Sequence, residues 1–307
     1  MTVDKRTLSL MGTVIQIWVQ SPKATELLQE AERRLVDYEA RFSANREDSE
    51  LMQVNYEAGR KAISVDAELF SLIRLGKAQS LAPGFLNIAI GPLIQLWRVG
   101  FQDARKPTTA EIRGVLPVID PQKIVLDEAE HTVFLAEAGM AIDLGALAKG
   151  YFADQIMAYF KAEGASAGYI DLGGNVLTFG EAPNHADGYW RVGIQNPFLP
   201  RGNYLLVLKI KNQTVVTSGI YERKFEFSGR TYHHLFDSHT GYPLETELAS
   251  VTIVSNRSVD GEVLTTRLFD QTPAQWVQSV EQLPEVEGVV VTKNGMMAHT
   301  TGLIVDQ

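Results

Sequence analysis

Three groupings of residues in this chain could do chemistry. From Met140 to Asp154 an apolar strand end runs through Asp143 and Gly145 straight into a helix, in which Leu147, Tyr151, Phe152, Ile156, Tyr159 and Phe160 recur mostly at three- and four-residue intervals and which Gly164 closes. The backbone N–H groups and positive dipole end of that helix, with the charge of Lys149 one turn in, make a junction suited to an anion, phosphate above all. An Asp143 that only caps the helix and a Lys149 that only sits in solvent explain the stretch as well. Further on, Glu262 and Thr266 stand four apart in a helix starting at Ser258, so their oxygens share one face. Such a pair can hold magnesium, and an ordinary exposed face looks the same. The third grouping is His233-His234. If Tyr232 to Phe236 is a strand, the two imidazoles point to opposite faces and cannot both line one site. Neither has further ligands at zinc-like spacing, and a hydrogen-bonded structural role is as common for such a histidine as a catalytic one.

The surrounding elements must position these groups. Thr7 to Val19 reads as a strand with Ile15, Ile17 and Val19 on one face, interrupted at Met11-Gly12-Thr13 by a bulge or a close ligand approach. A helix follows from Ser21-Pro22 to Arg41, its apolar face Leu28, Ala31, Leu35, Tyr38 and Phe42. Ser49-Glu50 precede a short apolar turn, and Asp66 caps a helix carrying Leu69, Ile73 and Leu81. Asn87 sits in an apolar loop that ends at Gly91-Pro92, where its amide must find backbone or a bound heterocycle. Residues 102 to 121 suggest a short surface helix, and Lys123 to Leu126 with Thr132 to Ala136 a hairpin. Ala167 to Asn175 is a strand breaking at Gly173-Gly174. Strands follow at Trp190 to Ile194, Tyr204 to Ile210, Thr214 to Ser218 and Ala249 to Val254. Asp237 with Thr240-Gly241 makes a turn, a helix starts at Pro273, and Lys293-Asn294-Gly295-Met296 is the strongest hairpin turn in the chain.

A chain of 307 residues, 45% hydrophobic and 21% charged, can bury a large core. The net charge of −9 argues against nucleic acid as a partner. With no cysteine, disulfides, thiolate metal sites, a cysteine nucleophile and lipid-modified cysteine are excluded. No apolar run is long enough to span a bilayer, no membrane anchor is visible, and the first residues lack the apolar core of a signal peptide, so the expected location is cytoplasmic.

Taken in this order, these stretches resemble the ApbE family of flavin transferases. The matches are Met11-Gly-Thr13, Ser49-Glu50-Leu51, Gly91-Pro-Leu93 with Trp97, Asp143-Leu-Gly145 with Lys149-Gly150 and Asp154, Gly173-Gly-Asn175, Thr217-Ser-Gly219, His234 with Asp237 and Thr240-Gly241, and the helix Leu264 to Phe269. No single one is specific; their order and spacing are. The resemblance implies an α+β fold, residues 1–307 as a single compact unit with a mixed or antiparallel sheet core flanked by helices, which the order of strands and helices also supports. It implies an enzyme, an FAD:protein FMN transferase: a flavoprotein that takes FAD as substrate, uses Mg2+ at its pyrophosphate, moves FMN to a Thr or Ser hydroxyl of an acceptor protein and releases AMP.

Carried over by position, the resemblance puts Met11, Asp143 and Lys149 on FAD, with Asn87, Ala89, Gly173, Gly174 and Ser218 also in the cofactor site. Ala146, through its main-chain carbonyl, Glu262 and Thr266 fall at the metal. His234 falls on the family's histidine near the reaction centre and would help deprotonate the acceptor hydroxyl. The chain departs from the family where Glu262 replaces an aspartate and where Asn87 and Ala89 replace Asp and Thr. Two other activities use the same features: an FAD pyrophosphatase giving FMN and AMP, and a non-catalytic FAD-binding protein.

Overall fold

Residues 2–306 are described by the structure, a computed structural model. The first two strands, β1 (Thr2–Leu10) and β2 (Thr13–Ser21), pair antiparallel around Met11 and Gly12. Both turn residues have positive φ, 54° and 69°, the pattern of a two-residue hairpin turn whose twist matches the strands it joins. The single interrupted strand expected from Thr7 to Val19 is therefore two strands. The face reading holds, since Ile15, Ile17 and Val19 are fully buried.

Helices α1 (Ala24–Phe42) and α2 (Glu50–Tyr56), strand β3 (Ile63–Ser64) and helix α3 (Ala67–Ser80) follow. Ser49 and Asp66 cap α2 and α3 by accepting from the Met52 and Glu68 N–H groups. Leu81, expected on the apolar face of α3, lies beyond its end and is exposed. Then come α4 (Gly91–Trp97), α5 (Thr109–Val115) with a Thr108–Glu111 capping box, and the hairpin β4 (Ile124–Asp127) and β5 (Thr132–Leu135). The second half runs α6 (Ala148–Ala162), β6 (Ala167–Leu172), β7 (Asn175–Phe179), β8 (Trp190–Gln195), β9 (Tyr204–Ile210), β10 (Thr214–Gly219), β11 (Lys224–Phe227), β12 (Arg230–His233), β13 (Leu248–Ser255), α7 (Ser258–Arg267), α8 (Pro273–Glu281), β14 (Glu287–Thr292) and β15 (Met297–His299). Gly295, with φ of 85°, turns the β14–β15 hairpin as its sequence implied.

An eight-stranded sheet in the order β1-β2-β6-β7-β10-β13-β14-β15 organises these elements, and its neighbours all pair antiparallel. The expected α+β class with an antiparallel sheet core is what the chain adopts. Ile17 of β2 and Ile170 of β6 pack with Leu35 of α1 and Phe152 and Ile156 of α6 in the largest core. Strand β13 is buried along its whole length. Its Val251 and Ile253 pack with Trp276 of α8, while Val254 packs with Ile194 and Leu208 of the β8–β9 hairpin, so both of its faces are covered. A third core joins Trp97 of α4 to Tyr232 and Phe236, and the Trp97 indole N–H donates to the Gly241 carbonyl at 2.9 Å. That bond fixes the segment after β12 against α4.

Candidate functional site

A cleft of about 1340 Å³ opens beside the N-terminus of α6, with the β1–β2 turn, α7, β10 and the segment after β12 around it. This exceeds the roughly 300–1,000 Å³ of most small-molecule sites, leaving room for a dinucleotide and part of a second molecule. Helix α6 begins later than expected, at Ala148 rather than after Gly145. Asp143 does not cap it. Its Oδ1 instead accepts the Gly145 N–H at 2.7 Å and closes a local turn, while burial pushes its carboxyl up.

Lys149 is not free in solvent. Its ammonium donates to Glu262 Oε1 at 3.1 Å, and the Glu262 side chain is only 5% exposed. The same oxygen accepts the Asn175 amide at 2.9 Å. Asn175 Oδ1 accepts from the Ser258 hydroxyl at 2.6 Å, and that hydroxyl in turn accepts from Thr214 at 3.2 Å. Buried polar atoms are thereby linked from α6 through β7 to α7 and β10, as burial demands. Gly150 allows the helices to meet, because a Cβ there would lie 2.6 Å from the Ser258 carbonyl oxygen and 2.7 Å from Glu262 Cγ.

Asp154 aligns the two helices. Its Oδ1 and Oδ2 accept the Ser258 and Val259 N–H groups at 2.8 and 3.0 Å, capping α7 from a residue of α6. Burial raises its carboxyl to about 6 despite those two bonds. Asp154→Asn presents an NH2 where one of the N–H groups needs an acceptor. We expect it to cost about 1–3 kcal/mol, the penalty of an unsatisfied buried donor, read as a lower midpoint in urea unfolding; a midpoint equal to that of the unaltered protein would refute the capping role.

The strand expected from Tyr232 to Phe236 ends at His233, and the two histidines still part. His233 is buried, donating from Nε2 to the Leu244 carbonyl and accepting the Leu235 N–H at Nδ1. His234 reaches the cleft with Nδ1 3.2 Å from the Arg223 carbonyl, an acceptor only, so Nδ1 carries the proton and Nε2 keeps its lone pair. Burial lowers His234 to about 4; the Arg223 bond opposes this, and the charges of Arg223 and Lys149 reinforce it. Asp237 makes the expected turn, accepting from the His239 N–H and the Thr240 hydroxyl.

Of the residues expected at a site, the cleft gathers Met11, Asn87, Asp143, Ala146, Lys149, Gly173, Gly174, Ser218, His234, Glu262 and Thr266. Ala89 is left out, fully buried in the main core with its N–H bonded to Asn87 Oδ1. Asn87 spends its amide on the Ile119 carbonyl, so backbone satisfies it. At Gly173 a Cβ would overlap the Thr13 hydroxyl, whereas one at Gly174 would meet nothing within 4 Å. The Ser218 hydroxyl donates to Thr265, which donates to the Glu262 carbonyl. Asp260 pairs with Arg257 and does not line the cleft.

Met11 holds a positive φ that suits Asn or Gly, set by the hairpin turn it occupies. We expect Met11→Asn to stabilise the protein by on the order of 1 kcal/mol in urea unfolding while weakening FAD binding in a fluorescence titration. A gain in stability with unchanged FAD affinity would remove Met11 from the site.

Sequence reasoning quoted Asn175 and Asp154 among the family matches and Ser258 as a helix start without giving them these roles, and it missed the role of Arg223. Nothing local ties Asn175 to Glu262.

A sequence profile of the ApbE family matches residues 11–290. The chain is 41% identical over 258 residues to an FAD:protein FMN transferase of Klebsiella pneumoniae (strain 342), covering 84% of this chain and 79% of that protein. Another FAD:protein FMN transferase, from Treponema pallidum (strain Nichols), is 33% identical, with 96% and 86% covered. Among solved structures, the ApbE protein of Thermotoga maritima MSB8 superposes with a TM-score of 0.86 at 28% identity over 97% of both chains. The apo flavinyl transferase ApbE of Pseudomonas stutzeri gives 0.82 at 25% identity over 99% of this chain and 95% of that one.

Proposed function

The chain belongs to the ApbE family and transfers FMN from FAD to protein, and from that premise we propose that the acceptor is a threonine or serine hydroxyl, that AMP leaves, and that magnesium assists. The observation that carries the reading is the convergence on one cleft of a neutral histidine with a free Nε2, His234, and a cation–carboxylate pair, Lys149 and Glu262. With Nδ1–H held by the Arg223 carbonyl, Nε2 takes the proton of the acceptor hydroxyl. The hydroxyl oxygen bonds to the FMN-side phosphorus, the bond from that phosphorus to the bridging oxygen breaks, and AMP carries the bridging oxygen away. Lys149 and the N-terminus of α6 hold the charge of the pyrophosphate.

The residues present fit a magnesium ion. No group of three His, Cys, Asp or Glu that could hold a metal occurs among the described residues, so a site made of protein carboxylates alone is not built. Magnesium ordinarily binds one or two carboxylates together with water and substrate phosphate. Glu262 would supply one, and Thr266 and Ala146, which line the same cleft, would offer a hydroxyl and a main-chain carbonyl as further hard oxygen donors. The ion would supply neutralisation of the pyrophosphate charge. Lys149 already engages Glu262 Oε1, which leaves Oε2 as the oxygen for the ion.

Residues 1–307 work as one catalytic unit in this reading, supported by a cleft whose walls come from Met11 through Phe269, and the cytoplasm is their proposed location. No helix among the described residues is long and apolar enough to cross a membrane. The test is to incubate the protein with FAD, magnesium and a threonine-bearing acceptor, following AMP by chromatography and the acceptor by intact mass. Addition of one FMN, stopped by a chelator, is the expected result. AMP without attachment would mean an FAD pyrophosphatase, and bound FAD without either product a binding protein.

A further inference from the structure

Strand β8 borders the cleft in an unusual way. Trp190, Arg191, Val192 and Gly193 all line it. Successive side chains of a strand point to opposite faces, so four consecutive lining residues mean that the cleft runs along the strand's edge. The backbone on that edge is open. Among the described residues strand β8 pairs only with β9, and the alternation of its hydrogen bonds follows from the far side of β9. There the Lys209 N–H donates to the Ile304 carbonyl and the Asp306 N–H to the Val207 carbonyl, both at 2.8 Å. Residues 207 and 209 thus face the chain's tail, and 206, 208 and 210 face β8. Their partners Ile194, Val192 and Trp190 are satisfied by β9. What is left pointing outward is the N–H and C=O of Arg191 and of Gly193, and no described backbone group pairs with them.

An edge that offers two donors and two acceptors at alternate residues is complementary to one kind of occupant, an extended polypeptide. Nearby in sequence, Phe198 and Leu199 of the β8–β9 turn and Tyr204 at the start of β9 are each more than half exposed. Transfer of FMN to protein needs a segment of a second chain to enter this cleft and bring a hydroxyl to His234, and β8 and His234 line the same space. We propose that the acceptor protein presents its hydroxyl-bearing residue on an extended segment that adds as a strand to the open edge of β8, with the exposed Phe198, Leu199 and Tyr204 taking apolar residues of the same partner. The inference rests on the transferase reading and names how its protein substrate is recognised. Because main-chain groups do the binding, the segment is recognised through its conformation, and its side chains at alternate positions set the selectivity.

The probe is a pooled library of synthetic dodecapeptides with a central threonine, from which members that gain the mass of FMN are taken. Two variants isolate the edge. Arg191→Ala and Arg191→Pro both remove the guanidinium from Asp187 and Asp306. Only proline also removes the outward N–H, and at that position it deletes no bond of the β8–β9 ladder. We expect Arg191→Pro to raise the peptide KM about threefold to tenfold over Arg191→Ala, with FAD affinity in the two variants equal. Equal peptide KM values overturn the inference. Should the proline variant not fold, hydrogen exchange in the unaltered protein decides: labelled peptides protect the Arg191 and Gly193 amides beyond FAD alone, whereas protection by FAD alone would assign the edge to the dinucleotide. FMN transfer to threonine in folded protein but in no peptide also overturns it. Absence of both AMP and transfer with any acceptor sinks the transferase reading instead.

Discussion

Glu262→Gln is expected to lower AMP release from FAD by about a hundredfold to a thousandfold, the loss typical of removing one preorganised charge-stabilising group. The substitution keeps volume and shape, removes the charge at Oε1, where the Lys149 ammonium and the Asn175 amide converge, and turns one carboxylate oxygen into an NH2 donor. Without the carboxylate, Lys149 loses its counter-ion. Removing one partner of a fully buried pair costs about 3–5 kcal/mol. Lys149 is still 32% exposed and can turn to water, so the stability loss falls short of that range. Glu262→Asp keeps the charge one methylene shorter and is expected to retain much more activity than the glutamine variant. The measurement is kcat for AMP release at saturating FAD alongside a urea unfolding curve. A folded Glu262→Gln protein with kcat within tenfold of the original would take Glu262 out of the mechanism.

The second large effect falls on His234. His234→Ala is expected to cut transfer by about a hundredfold to ten-thousandfold, the range for loss of a positioned general base, with FAD still bound. Its acidity gives a further signature. In the free protein His234 is held at about 4, so Nε2 stays unprotonated across the neutral range. Bound pyrophosphate adds negative charge nearby and moves that value up toward the ordinary 6.5. The acid limb of kcat, which reports the bound complex, is therefore expected above the acid limb of kcat/KM, which reports the free protein. Stability carries the matching sign. Above pH 6.5 neither state protonates this group; as pH falls from 6.5 toward 4 the unfolded chain binds the proton first, and stability is lost through that window. His234→Ala should make this segment of a melting-temperature profile shallower, leaving the share of His233, which burial also holds at about 4. Coincident acid limbs for kcat and kcat/KM would show that the substrate does not touch the histidine.

The sequence carried the elements better than their pairing. Alternation in β2 put Ile15, Ile17 and Val19 in the core, and three-to-four spacing found α1 and α6, because burial of one face is written in residue order. Met11 concealed a turn, since a methionine at positive φ carries no turn signature. Strand β7 begins directly after Gly173-Gly174, so glycines that marked a break hid the return of the chain. At the site, the Glu262–Thr266 spacing and the α6 junction pointed to residues that the structure gathers into one cleft, and the His233–His234 pair stood out too, though only the resemblance picked His234 from it. Asn175 on Glu262 and Asp154 on α7 were not legible, because they join residues 87 and 104 positions apart that only the sheet order brings together.

One feature of the packing reaches into spectroscopy. Trp190 lines the cleft, Trp18 meets it edge-on with ring centroids 5.5 Å apart, and Tyr169 stacks beside them. Isoalloxazine absorbs where indole emits, so a flavin in the cleft quenches this pair. Indole emission therefore falls as the cleft fills, and the molecule carries its own optical gauge of occupancy.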